Sequence, residues 1–222
     1  MRRFCSRKDP LVVLLAEYEG VLRVMPEASV LIVGNDPVGV ETDLVAGVVG
    51  CPACGERLRP WSYARQRSLR GEDVVLVLRP RRGRCGSCRT THVLLPDVAL
   101  ARRVDTATVV GRALTARASG VGHRKIAVEL SRPPSTVRGW LRRFVAVAGR
   151  VAAHFMVWAH RLDPSLGPVS PAGGVVADAV EAIGTAARVA SLRLGPRPPW
   201  SWASVFTVGR LISNTNSPWL AP

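Results

Sequence analysis

Cys51-Pro52-Ala53-Cys54-Gly55 and Cys85-Gly86-Ser87-Cys88 form two C-x-x-C turns with 30 residues between them. A tight turn sets two sulfurs on one side of the backbone. Two such turns brought together offer four thiolates in a tetrahedron at ~2.3 Å from a zinc ion. With protein sulfur in all four positions no place is left for water, so the expected metal is one structural Zn2+. Gly55 and Gly86 are expected to take the positive φ such a turn needs beside a ligand. Competing readings are two disulfides or a redox C-x-x-C. The first needs an oxidising compartment, and the second needs one motif in a thioredoxin-like setting rather than two. His92, four residues past Cys88, is the alternative ligand, and Cys5 is left as a free thiol.

Between the turns, residues 73–79 alternate Val and Leu and predict a strand, paired with one at 60–66 through a turn at 69–72. Residues 47–98 therefore read as a zinc ribbon, two cysteine knuckles joined by a β-hairpin. Upstream, residues 1–46 carry an apolar run at 11–15 and Val-Leu-Ile-Val at 30–33 before Asn35-Asp36-Pro37, which predicts an N-terminal segment of short strands.

Downstream the period changes to that of helices. Residues 106–119 predict a first helix with Val109, Val110, Leu114 and Ala118 on its apolar stripe, ended by Gly120-Val121-Gly122. Residues 123–130 predict a second helix and 135–144 a third, joined by Ser131-Arg132-Pro133-Pro134. In the third, Val137, Trp140, Leu141 and Phe144 recur at core spacing, while Ser135, Arg138, Gly139 and Arg142 share another face. Two short helices, a tight turn and a polar, basic second helix predict a helix-turn-helix within residues 99–162. Its expected contacts to double-stranded DNA are Arg124, Lys125, Arg132, Ser135, Thr136, Arg138, Gly139, Arg142 and Arg143. The competing reading is a solvated arginine face. Arg81, Arg82, Arg84 and Arg89 near the second knuckle are further phosphate candidates. Residues 163–222 predict a Pro-rich linker, one amphipathic helix at 175–194 and a Trp- and Pro-rich tail without a pattern. The fold class expected is α+β.

The charge sits where these motifs sit. Residues 51–150 hold 21 of the 31 basic side chains and 6 of the 16 acidic ones, so the net +15 of the chain lies entirely in that span. Such a field selects a polyanion. The apolar stretches at 11–16 and 144–159 are too short or too charged for a leader or a membrane span. The expected setting is cytoplasmic, at the nucleoid.

The Cys51-Pro-x-Cys-Gly and Arg-Cys85-x-x-Cys88 knuckles, with Arg124-Lys-Ile-Ala and Ser135-Thr-Val-Arg-x-Trp-Leu-Arg-Arg-Phe, resemble the zinc-ribbon and helix-turn-helix front end of bacterial insertion-sequence transposases. They resemble more closely a family of small proteins from GC-rich bacteria with this layout. The resemblance implies sequence-specific DNA binding as a transposon accessory or regulator, with a transposase or a second copy of the chain as further partners. The catalytic half departs from the resemblance. A metal-dependent strand-transfer core needs three convergent carboxylates, and after Phe144 only Asp163, Asp178 and Glu181 remain. No enzymatic activity is therefore expected. The alternatives are a transposase remnant that keeps only end recognition, and a zinc-ribbon adaptor for protein or RNA.

Overall fold

The computed structural model describes residues 30–213, with six strands and seven helices among them, an α+β architecture in two compact units. The expectations for residues 11–15 and Cys5 lie outside the described residues.

Of the described residues, the first unit takes 30–67 together with Arg79–Pro96. Strand β1 (Val30–Val33) runs into helix α1 (Pro37–Val45). Asn35-Asp36-Pro37 starts a helix here rather than a strand-to-strand turn. The Asp36 carboxylate accepts from the N–H groups of Val38 and Gly39, each at 3.0 Å. Pro37 begins the first turn, where its missing N–H costs nothing. Strands β2 (Leu58–Tyr63), β5 (Arg81–Cys85) and β6 (Thr91–Pro96) join β1 in one sheet of order β1-β6-β5-β2. β1 runs parallel to β6, and the other two pairings are antiparallel. β1 is thereby hydrogen-bonded to the strand that follows Cys88, within the same unit. Leu31, Val33, Leu44, Leu58 and Leu94 form the core with Cys51 and Cys85. Gly83 admits α1 closely, since a Cβ there would lie 3.2 Å from both Leu44 Cδ2 and Leu58 Cβ.

The strand expected at 73–79 forms as β4 (Val75–Leu78), but its partner is β3 (Arg67–Arg70) and not residues 60–66. The turn explains the difference. Gly71 N–H donates to Val74 O at 2.7 Å, closing a loop with Glu72-Asp73 at its tip, two residues later than the expected turn at 69–72. Residues of β2 pair instead with β5, directly ahead of Cys85.

The second unit holds residues 68–78 and the chain from Asp97 onward. Helix α2 (Ala107–Ala118) is capped by Thr106, whose hydroxyl accepts from Val109 N–H. Helices α3 (His123–Glu129), α4 (Pro134–Val145), α5 (Ala148–Leu162) and α6 (Val175–Leu194) follow. A last helix, α7 (Pro199–Phe206), occupies the tail for which the sequence offered no pattern. Its residues from Trp200 onward are all buried, so it has no polar face to produce a period. Phe206 stacks on Trp158 at 4.7 Å and on Trp202 at 5.5 Å, and Trp202 Nε1 donates to Ser191 Oγ at 2.9 Å. Among the described residues no helix is long and apolar enough to cross a membrane.

Candidate metal centre and nucleic-acid interface

The two cysteine turns are built alike. Cys51 N–H donates to Glu56 O at 2.7 Å and Cys85 N–H to Thr90 O at 2.9 Å, so each turn closes a loop of six residues. The residue after the second sulfur takes positive φ in both, at Gly55 (77°) and at Arg89 (65°). Gly86 does not, so the left-handed position of the second turn falls to an arginine, at a cost in backbone strain. Each turn buries its first sulfur, on Cys51 and Cys85, and leaves its second, on Cys54 and Cys88, exposed. All four Sγ atoms lie within 4.8 Å of one another. Cys51 and Cys88 approach to 3.6 Å, and Cys54 and Cys85 to 3.4 Å. A tetrahedron with ~2.3 Å metal–sulfur bonds has edges of about 3.8 Å, so the donor set fits one ion. The four cysteines are also the one converging group of potential ligands among the described residues, and Asp163, Asp178 and Glu181 do not gather.

His92, the alternative ligand, is buried on β6 with Nε2 3.4 Å from Cys51 Sγ. That places the ring beside a sulfur, where an N–H can stabilise a thiolate. The thiols of Cys51 and Cys88 start from unequal positions. Burial pushes Cys51 up to about 12, whereas the Thr90 hydroxyl, 3.3 Å from Cys88 Sγ, and the Thr90 backbone bring Cys88 down to about 6. A divalent cation at the centre favours the deprotonated form of all four.

The helix pair α3–α4 keeps the sorted faces the sequence implied. Val137, Trp140, Leu141 and Phe144 are buried, together with Ile126 and Ala127 of α3. Ser135, Arg138 and Arg142 are exposed on α4, as are Arg124 and Lys125 on α3, while Thr136, Gly139 and Arg143 are half-buried. The Arg143 guanidinium reaches over Gly139, with Nη1 3.0 Å from where a Cβ would stand.

Arg132 behaves differently from the other eight expected contacts. Its side chain is only 8% exposed, with Nε donating to Asp105 Oδ1 at 2.6 Å. Nη1 donates to Leu130 O at 3.0 Å and Nη2 to Gly71 O at 2.6 Å. The fork is engaged in holding the α3–α4 turn, where Ser131 takes φ 51°, through Nε, Nη1 and Nη2 alike. Arg81 is likewise committed, through Nε and Nη2, to the Glu41 carboxylate at 2.6 and 3.0 Å. Arg82 remains exposed. Sequence reasoning passed over Trp61, which is 56% exposed with the Arg84 guanidinium 4.6 Å from its ring centroid. Its signal was an aromatic residue two positions after Arg59 on the same strand.

Residues 51–140 match the family model described as a domain of unknown function, DUF6431. The matched span begins at the first cysteine of the cluster and ends at Trp140 within α4, so it takes in the four cysteines, α3 and the first part of α4, but not Arg142 and Arg143. No curated protein and no solved structure matches the chain.

Proposed function

We propose that this chain is a non-enzymatic, sequence-specific DNA-binding protein with one structural Zn2+ on Cys51, Cys54, Cys85 and Cys88. In this reading the first unit is a zinc ribbon, and α3 and α4 are a helix-turn-helix whose second helix enters the major groove. The ion would be held by the four thiolates and would supply cross-linking of the two turns, not chemistry. Small Ser135 and Gly139 let the α4 backbone approach the groove, Arg138 and Arg142 reach base edges or phosphates, and Arg124 and Lys125 add backbone charge.

The observation that carries this reading is the division of α4. Val137, Trp140, Leu141 and Phe144 are used by the core, while Ser135, Arg138 and Arg142 stand exposed on a helix that follows a tight turn. A solvated arginine face would need no such packed partner helix. The concentration of the net charge in residues 51–150 adds the long-range attraction to a polyanion. A place beside a transposase, as accessory or regulator, belongs to the same proposal and rests on the resemblance of the motifs. Selection from a random duplex pool with metal-replete protein tests it. Recovery of a shared motif that Arg138→Ala no longer enriches is expected, and a pool that stays random overturns it.

A further inference from the structure

We propose that the outward face of the β2–β5 strand pair is a second nucleic-acid site, which binds an unpaired DNA base on the Trp61 indole and the flanking phosphates on Arg59, Arg82 and Arg84. The choice of DNA rests on the function proposed above for α4.

The geometry begins with register. Leu58 lies opposite Cys85 and Pro60 opposite Gly83, and Leu58, Cys85 and the Gly83 backbone face the core beside Leu44. Arg59 lies opposite Arg84, one residue out of phase, and therefore on the other face. Arg82 is two residues from Arg84 and shares its side. The register breaks between Pro60 and Ser62, so Trp61 is the extra residue of a bulge, a device that re-aims a side chain. Trp61 turns to this same outward face, where Arg84 lies 4.6 Å from its ring centroid.

Exposure sets Trp61 apart. Trp140, Trp158, Trp200 and Trp202 are each 9% exposed or less, whereas Trp61 is 56% exposed. The guanidinium of Arg84 lies over the indole, and the residue still keeps more than half of its surface exposed. Among the described residues, none of Arg59, Arg82 and Arg84 forms an ion pair, although Arg81 on the opposite face does. The ligand for such a surface must be anionic and must offer a flat π face. A paired base hides its faces in the stack, and an unpaired one exposes them. Arg82 and Arg84 stand ~7 Å apart along the strand, a step an extended nucleotide chain makes from one phosphate to the next.

The test uses the full chain with its metal, a short oligothymidylate, the same backbone without bases, an oligouridylate, and a duplex carrying the selected site. Trp61→Ala should lose about 5- to 150-fold in oligothymidylate affinity, the span that corresponds to ~1–3 kcal/mol per stacked base. Trp61→Phe should keep most of it, and duplex affinity should change less than about twofold. Equal oligothymidylate affinity in Trp61→Ala and wild type overturns the proposal. So does equal wild-type affinity for the abasic strand, or a preference for oligouridylate. Trp61-dependent oligothymidylate binding with no duplex binding would sustain this site and remove only the reading of α4.

Discussion

Gly111 meets the indole of Trp200 so closely that a Cβ at residue 111 would stand 2.0 Å from Trp200 Cδ2. The ring of α7 therefore lies flat against the backbone of α2. Glycine in a helix interior costs about 1 kcal/mol against alanine, and here that cost admits a whole buried ring. Gly111→Ala should destabilise by at least ~1–3 kcal/mol through overpacking. In a Trp200→Ala background the same change should become neutral or favourable, because the helix preference then acts alone. A double-mutant cycle by urea unfolding measures both, and an unchanged penalty in that background would show the ring is not the cause.

Arg132 and Asp105 set a second such relationship. Asp105 is 2% exposed and also accepts from Arg70 at 2.8 Å. Removing one partner from a buried pair costs ~3–5 kcal/mol, so Arg132→Ala should act on stability. Once folded protein is compared at equal concentration, its DNA affinity should match wild type. Ser131→Gly should stabilise by about 1 kcal/mol, because it relieves a left-handed residue in the same turn. Thermal melts beside binding isotherms separate the two effects, and a folded Arg132→Ala that binds weakly would contradict the assignment.

These residues show what the sequence could and could not reveal. The cysteine turns and the faces of α4 were legible because their signals are local, a fixed spacing and a 3.6-residue period. Arg132 looked like its neighbours, since nothing local announces that Asp105, 27 residues away, takes its charge. The pairing of β4 with β3 depended on a turn whose Glu72-Asp73 tip has no strong signature. Helix α7 was hidden because burial on all sides erases periodicity, and Gly111 carries meaning only once Trp200 is in place.

One zinc per chain is expected in protein purified under reducing conditions, measured by elemental analysis. Cys54→Ser should lose the metal and much of the β-sheet signal of the first unit, since binding free energy here becomes folding energy. Occupancy should fall as pH falls, because protons compete for each thiolate. Metal-free protein with an intact sheet would refute the structural role.

His154 offers a pH handle on the second unit. It is buried on α5, its Nε2–H donating to Phe206 O at 2.8 Å, and burial lowers its pKa from the ordinary 6.5. Above 6.5 the ring is neutral in folded and unfolded chains alike. As pH drops below that value the unfolded chain takes up a proton that the folded one resists, so stability falls. Unfolding midpoints should decline between about pH 7.5 and 5.5, and less steeply in His154→Gln. Identical profiles for the two proteins would place the pH dependence elsewhere.

The sharpest prediction separates base reading by α4 from attraction by charge. Arg138 and Arg142 are exposed on the helix that would enter the groove, whereas Arg82 is exposed on a strand of the first unit. If Arg138 reads a base edge, Arg138→Ala should cost ~1–3 kcal/mol on the selected duplex and relax preference at one position. Arg82→Ala should leave the preference among duplexes unchanged and instead weaken oligothymidylate binding, lowering its salt slope by about 0.7, since it removes a single phosphate contact on the strand pair. Arg81→Ala should instead act on stability, because its guanidinium is bound to Glu41. Trp140→Ala should unfold the helix pair at ~3–5 kcal/mol, as its ring is 3% exposed. Isotherms on selected and scrambled duplexes and on oligothymidylate at several salt concentrations distinguish these outcomes. Equal losses on both duplexes for Arg138→Ala and Arg142→Ala would make α4 a charged surface that reads no sequence.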